Sequence, residues 1–201
     1  NSRMKSLLQM ELSFRGKNFL ENNFEEKRLN GENDTYICSL IRDDLSPEFI
    51  SYVNRNCLSL STQIKPTIFE TNLMLKNKST LIEYAAFYAS IEIFHYLRMR
   101  NVTLTPSLWL FSIHSNNGQL IHILEDNKVA PPNNSYETCL EEAIKCHHND
   151  IAMYILDRLQ ENGKNFDFQV AILCFQYQNF AFLPENLDIQ IILYVACKFS
   201  Y

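Results

Sequence analysis

The sequence predicts an all-α protein, a helical repeat solenoid of about four to five helix-pair units. The first observation is a residue pattern that recurs from Thr80, Ser107 and Thr138, at intervals of 27 and 31 residues. A period of this length is typical of stacked supersecondary units. The second is composition, because four glycines and six prolines are too few for a turn-dense β protein. The third is an apolar content of 46%, which suffices for a continuous core.

Charge and hydropathy argue against several classes of partner. The chain carries a formal net charge of −5 with acidic and basic residues interspersed, so nothing indicates binding to nucleic acid or to an anionic membrane. It contains no run of about 18 apolar residues that could span a bilayer, and no apolar segment of a signal peptide. Six cysteines lack the paired spacing of a disulfide framework, which indicates free thiols in a reducing compartment. We therefore expect a cytoplasmic protein without membrane contact.

Residues 1–34 predict a helical extension ahead of the repeats, because apolar residues recur at helical spacing between Leu7 and Phe14. A weaker copy of the repeat starts at Thr35, so the predicted repeat domain covers 35–201. The interval from this copy to the next is longer than one unit. The excess lies in 57–79, where apolar residues predict an additional short helix. These residues are Ile68, Phe69, Leu73 and Leu75.

The three close copies each predict a capped short helix, a tight turn and a second helix. Thr80, Ser107 and Thr138 belong to the residue types that cap helix N-termini. The predicted turns are Ala89-Ser90, Asn116-Asn117 and His147-His148. Asparagine and histidine accept a positive φ angle more readily than alanine does, so we expect strain or another turn type at Ala89. The second helices carry apolar residues at i, i+1, i+3 and i+4, which predicts a broad buried stripe.

The C-terminal part fits the repeat less well. Residues 163–186 predict a degenerate unit rich in aromatic residues, and Leu193, Ala196 and Cys197 match the beginning of a further unit. The segment around them is apolar, whereas a terminal repeat needs a polar outer face. We therefore expect the natural protein to continue with more repeats. The alternative is an end that is covered by a swapped or dimeric contact.

Two segments carry a resemblance to a known repeat family. The sequence TLIEYAAFYASIEIFHYL at 80–97 is similar to the ankyrin pattern T-P-L-H-x-A-A-x-x-G-H-x-x-I-V-x-x-L, and TCLEEAIKCHHNDIAMYIL at 138–156 matches it through fewer positions. Residues 34–201 also resemble a family of divergent ankyrin-like domains of unknown function that is expanded in single-celled eukaryotes. The proline after the cap and the glycine in the turn are mostly absent here. The resemblance implies a helical solenoid without known catalysis.

The resemblance also implies where a partner would bind, namely the inner face of the first helices. The candidate partner-binding residues on that face are Tyr84, Phe87, Tyr88, Phe111, His114, Glu142 and Lys145. The aromatic members would form a patch that grades into charge, and aromatic side chains at interface centres often dominate affinity. The alternative is that Phe87 and Phe111 only fill gaps between irregular repeats.

The sequence gives little support for a metal site or for a catalytic site. Metal-binding residue types lie close together in sequence at Cys139, Cys146, His147, His148 and Asp150. Their spacing is not that of a zinc site, and on a helix pair their side chains would diverge. His148 instead matches a structural ankyrin histidine that bonds to the neighbouring turn. A nucleophile pair of Cys146 and His114 lacks an orienting group and an oxyanion hole. We expect no catalytic residue, no metal and no cofactor.

The sequence therefore predicts a non-catalytic protein–protein interaction scaffold. It would bind a protein partner through the inner helix face and the projecting loops. The alternative is a regulatory or targeting arm of a larger protein whose activity lies outside this chain, and an enzyme within the chain comes third. The identity of the partner and the oligomeric state do not follow from the residues, because a fold alone does not define a function.

Overall fold

The computed structural model describes residues 24–161 and 165–199, and these residues contain twelve α-helices and no β-strand. The helices are α1 (Phe24–Asn30), α2 (Tyr36–Arg42), α3 (Ser46–Arg55), α4 (Leu73–Lys76), α5 (Leu81–Phe87), α6 (Ile91–Met99), α7 (Leu108–His114), α8 (Gly118–Asp126), α9 (Glu137–Lys145), α10 (Asn149–Gln160), α11 (Asp167–Tyr177) and α12 (Ile189–Phe199). Short 3₁₀ turns lie at Pro132–Asn134 and Phe180–Phe182. The all-α prediction is confirmed. The helix predicted between Leu7 and Phe14 lies outside the described residues.

The helices pack as pairs that follow one another along the chain. Helix α2 packs on α3, α5 on α6, α7 on α8, and α9 on α10. The first helices of these pairs are neighbours in the order α2, α5, α7, α9, and α11 follows α9 in the same row. Among the second helices, α3 packs on α6. This arrangement places side chains from different pairs next to one another along the row of first helices.

The turn inside each pair has a left-handed residue at the same place. The φ angles are 48° at Asp44, 55° at Ala89, 54° at Asn116 and 59° at His147. The next residue then donates its N–H to a carbonyl near the end of the first helix, as Ser90 does to Ala85 at 2.9 Å. This is the hydrogen bond of a Schellman motif, which ends a helix. The predicted turns are confirmed, and Ala89 adopts the strained conformation.

The predicted N-cap positions are correct at Thr80 and Ser107 and wrong at Thr138, and of the three only Thr80 makes a side-chain capping bond. Thr80 forms a capping box with Glu83, in which each side chain accepts the other residue's N–H. Ser107 has helical backbone angles and makes no capping bond, and its hydroxyl donates to Glu83 of the preceding pair. Thr138 lies inside α9, because the hydroxyl of Ser135 accepts the N–H of the residue that begins this helix.

The predicted additional helix is present as α4, but it is shorter than expected. Of its four predicted members only Leu73 and Leu75 belong to the helix, because the side chain of Asn72 caps its first turn. The chain ahead of the helix bonds to the segment before the first pair. Thr71 donates its N–H and its hydroxyl to the carbonyl of Gly31, at 2.8 and 2.9 Å. The insertion is therefore attached to the body of the protein.

The core is continuous through the pairs. Trp109 is fully buried, and its indole N–H donates to the carbonyl of Val129 at 2.9 Å. All six cysteines lie in the described ranges and are free thiols, and three of them are buried. These three are Cys38, Cys139 and Cys174. Within the described residues no helix has the length and apolar character needed to cross a membrane.

The C-terminal part differs from the central pairs. The predicted degenerate unit contains α11 and the second 3₁₀ turn, and α12 packs on α11. Ile189, Leu193 and Tyr194 are more than half exposed on α12. This helix therefore presents apolar side chains at the surface, as the sequence pattern indicated.

Candidate functional site

The predicted partner-binding residues form a continuous chain of contacts across α5, α7 and α9. The ring centroid of Tyr84 on α5 lies 4.9 Å from that of Tyr88, the residue that follows this helix, and the centroid of Phe87 lies 5.0 Å from that of Tyr88. Phe87 also reaches α7, where its centroid lies 6.4 Å from Phe111 and 4.3 Å from His114. We call these five side chains the aromatic row. The fold thus joins residues of two helix pairs into one surface feature.

His114 connects the aromatic row to two charges on α9. Its Nδ1 lies 3.3 Å from Oε1 of Glu142, and Nζ of Lys145 lies 3.0 Å from Oε2. Burial disfavours the charged carboxylate, but the hydrogen bonds with His114 and Lys145 outweigh it and lower the pKa of Glu142 to about 2. Glu142 is therefore ionised at neutral pH and balances the charge of Lys145.

Burial divides the seven predicted residues into two groups. Tyr84 is 1% exposed, Phe111 is 7% exposed and Glu142 is 9% exposed. The rings of Tyr84 and Phe111 therefore pack inside the protein, and the gap-filling alternative applies to Phe111. The residues that remain accessible are Phe87, Tyr88, His114 and Lys145. The candidate contact surface is smaller than the sequence indicated, because two of the five side chains of the row are buried between neighbouring helices.

Arg42 on α2 extends the row to the preceding pair. Its Nη1 donates to the hydroxyl of Tyr84 at 3.1 Å, and its Cζ lies 6.0 Å from the ring centroid of Tyr88. Its Nε pairs with a carboxylate oxygen of Glu32 at 3.1 Å. Burial raises the pKa of Tyr84 well above its usual range and that of Tyr88 to about 12, so both phenols are neutral. The contacts therefore span four neighbouring first helices.

Cys146, just after α9, forms a three-residue cluster with His114 and Glu142. Its Sγ lies 3.4 Å from Nδ1 of His114 and 3.4 Å from Oε1 of Glu142. Burial and then the charge of Glu142 raise the pKa of Cys146 to about 12, so the thiol is protonated at neutral pH. In the part of the chain that the structure describes, these three residues are the potential metal ligands whose donor atoms all lie within 4.8 Å of one another.

The cluster is not arranged as a nucleophilic triad. In such a triad one ring nitrogen of the histidine faces the nucleophile and the other faces the carboxylate. Here Sγ of Cys146 and Oε1 of Glu142 both lie beside Nδ1 of His114. The reactive form of a cysteine is the thiolate, which the raised pKa of Cys146 disfavours. The three donor atoms are better placed to coordinate an ion than to attack a substrate.

The metal-binding residue types that stood out in sequence do not converge. Cys139 is fully buried. Nε2 of His147 lies 3.2 Å from the carbonyl oxygen of Tyr177, and Nε2 of His148 lies 3.1 Å from that of His114. The bond from His148 to the end of α7 agrees with its interpretation as a packing residue, and burial lowers its pKa. From that set, Cys146 is the residue that joins the cluster.

No family model, no curated protein and no solved structure matches the chain. The ankyrin resemblance is therefore carried by the residue pattern alone. The function has to be argued from the packing of the helix pairs, from the aromatic row and from the cluster beside it.

Proposed function

We propose that this chain is a divergent ankyrin-like solenoid that acts as a non-catalytic protein–protein interaction scaffold in the cytoplasm. The observation that carries the proposal is the aromatic row, which crosses neighbouring pairs without a break and remains accessible at Phe87, Tyr88 and His114. Repeat proteins use surfaces that several units share to bind extended partners. Lys145 adds an exposed ammonium at one end of this surface.

Two features of the backbone support the solenoid. The same left-handed turn closes the first helix of four consecutive pairs. The first helices of these pairs are also neighbours in chain order. Recurrent turn geometry and contacts between adjacent units are what a repeat array requires, because each unit buries its apolar face against the next one.

The order within the row favours binding. The ring of Phe87 contacts Tyr88, the next residue in the chain, and His114 on α7, so its conformation is set before a partner arrives. Side chains that are already ordered lose less conformational entropy on association. Rigid aromatic side chains also supply a large contact area with few rotatable bonds. The accessible part of the row is therefore suited to anchor a partner's apolar side chain.

The proposal of a non-catalytic role is supported by the chemistry of the cluster. The thiol of Cys146 is protonated, and the one histidine beside it presents the same ring nitrogen to the thiol and to the carboxylate. Acid–base activation of a nucleophile needs a base that is free to accept the proton and is oriented by a third group.

The experiment uses the full chain as bait to identify a partner, and then measures the dissociation constant for variants. We expect Tyr88→Ala to weaken binding about 30-fold, because truncation of an interface aromatic residue costs about 2 kcal/mol. Lys145→Ala should weaken it less, since a charge at the rim contributes mainly to association rate. Met99→Ala is the matched control, because this side chain is 77% exposed on the second helix α6.

Each variant is first compared with the wild-type protein by circular dichroism and thermal unfolding. A verified partner that binds Tyr88→Ala and Lys145→Ala as tightly as the wild-type chain would contradict the proposal. An equal loss of affinity in Met99→Ala would contradict it as well, because binding would then depend on another face. Tyr88→Ala changes no side chain of the three-residue cluster and none bonded to it, whereas Lys145 bonds to Glu142 of the cluster, so the affinities are measured in the presence of a metal chelator.

A further inference from the structure

Three different donor atoms from two neighbouring helix pairs meet at one point beside the aromatic row. They are Nδ1 of His114, Oε1 of Glu142 and Sγ of Cys146. Their pairwise distances are 3.3 Å between nitrogen and oxygen, 3.4 Å between sulphur and nitrogen, and 3.4 Å between sulphur and oxygen. The three atoms therefore form a nearly equilateral triangle, which is one face of a small tetrahedron.

The size of this triangle fits a zinc ion. With Zn–N of about 2.1 Å, Zn–O of about 2.0 Å and Zn–S of about 2.3 Å, tetrahedral geometry gives about 3.4 Å between nitrogen and oxygen, about 3.6 Å between sulphur and nitrogen, and about 3.5 Å between sulphur and oxygen. The edges in the structure differ from these values by at most a few tenths of an ångström. A mixed set of imidazole, carboxylate and thiol donors also suits Zn²⁺, whereas Mg²⁺ and Ca²⁺ prefer oxygen ligands alone.

Neighbouring residues make contacts that hold the donors in place. The ring of Phe87 stacks on His114 with an interplanar angle of 18°. Lys145 bonds to Oε2 of Glu142, which leaves Oε1 facing the triangle. His148 bonds to the backbone carbonyl of His114. Such outer contacts orient metal ligands in proteins and are a regular part of a metal site.

We propose that His114, Glu142 and Cys146 bind one Zn²⁺ ion that joins α7 to α9. On binding, the thiol of Cys146 gives its proton to the solvent and the thiolate coordinates the ion. His114 keeps 30% of its side-chain surface exposed, so the ion lies close to the surface and water fills its fourth position. The ion stabilises the contact between two successive pairs. This proposal does not rest on the proposed binding function.

The test uses the full chain with Cys57→Ser and Cys197→Ser, because these two thiols are exposed and would bind zinc nonspecifically. Titration calorimetry with Zn²⁺ alone should give one ion per chain, and Mg²⁺ should give no binding. Replacement of Zn²⁺ by Co²⁺ should produce the thiolate-to-metal absorption in the near ultraviolet. The melting temperature should rise with the Zn²⁺ concentration, since the ion binds the folded state.

Ligand variants and an outer-contact variant separate the roles. His114→Gln and Cys146→Ser should each weaken Zn²⁺ binding by more than the roughly 10–100-fold expected for Lys145→Met, which removes only an outer contact. X-ray absorption on the zinc-loaded parent, the chain with Cys57→Ser and Cys197→Ser, should show one sulphur and at least one imidazole ligand. This measurement does not depend on the folding of any ligand variant. The proposal is overturned if the parent binds no Zn²⁺, if the metal has no sulphur ligand, or if both folded ligand variants bind zinc like the parent.

Discussion

Replacement of Ala89 by glycine should stabilise the protein, because Ala89 carries a side chain in a conformation that favours glycine. Its φ angle is 55°, and it ends α5 through the hydrogen bond from Ser90 to Ala85. At this φ the Cβ atom approaches the carbonyl oxygen too closely, which costs roughly 1–2 kcal/mol for an L-residue. Ala89 is partly exposed, so loss of its methyl group removes little buried surface.

The expected gain is smaller than the strain itself. Glycine loses more backbone freedom on folding than alanine does, which offsets roughly 0.5–1 kcal/mol of the relief. The net increase in the free energy of unfolding is therefore about 0.5–1 kcal/mol for Ala89→Gly. In a chain of this length 1 kcal/mol corresponds to a rise in melting temperature of roughly 2–4 °C.

The measurement is urea unfolding of the wild-type chain, Ala89→Gly and a matched variant, Asn116→Gly. Asn116 occupies the same place in the next pair, with a φ angle of 54°. Asparagine tolerates this conformation better than alanine, so its replacement should yield a smaller gain or none. A loss of stability in Ala89→Gly, or a gain no larger than that of Asn116→Gly, would refute the assignment of strain to this turn.

Two further outcomes follow from the contacts. Glu83→Ala should lower the free energy of unfolding by about 2 kcal/mol in a urea titration, because it removes the capping box with Thr80 and the acceptor of the Ser107 hydroxyl. Glu83→Gln should lower it by less. A decrease below about 0.5 kcal/mol in Glu83→Ala would contradict the role of this side chain. A thiol reagent should modify Cys57 and Cys197 rapidly in the native protein, because these two thiols are exposed and the other four are buried or half-buried. Rapid modification of more than two thiols would show that the pairs open easily.

Local signals in the sequence sufficed for the helix pairs and for their turns. The turns at Ala89, Asn116 and His147 lie where the repeat pattern indicated, because the position of a turn depends on where two apolar stripes end. The capping bond expected at Ser107 is absent and its hydroxyl makes a tertiary contact, whereas Thr138 lies inside its helix for the local reason that Ser135 bonds at the helix start. Glu83 of one pair accepts a hydrogen bond from the serine of the next, and a pattern within one unit contains no information on such a contact.

The candidate surface was predictable in position but not in exposure. The repeat register places the residues of the aromatic row side by side, and the structure brings them into contact. Helical spacing alone does not distinguish a ring that faces solvent from one that lies under a neighbouring helix, so the burial of Tyr84 was missed and that of Phe111 stood only as an alternative. Arg42 of the preceding pair donates a hydrogen bond to the hydroxyl of Tyr84, a contact that the pattern within one unit does not contain.

The three-residue cluster was missed because its members were considered in the wrong combination. Glu142 and Cys146 are four residues apart, a spacing that places two side chains on the same face of a helix. His114 lies on the neighbouring first helix, 28 residues before Glu142. A search for zinc ligands that are close together in sequence does not find these three residues, because His114 is far from the other two along the chain. The i, i+4 pair, combined with the repeat register that places His114 beside it, is the signal that was available.

The proposed metal site and the proposed contact surface share His114, and Lys145 of the surface bonds to Glu142 of the site, which makes the two proposals testable against each other. Without metal, Glu142 balances Lys145. A Zn²⁺ ion bound through one thiolate adds a net charge of +1 to this end of the aromatic row. A partner that contacts Lys145 with an acidic group should then bind the zinc-loaded chain more tightly, and the gain should fall as salt screens the charge. A partner affinity that is independent of zinc would leave the ion a purely structural role between α7 and α9.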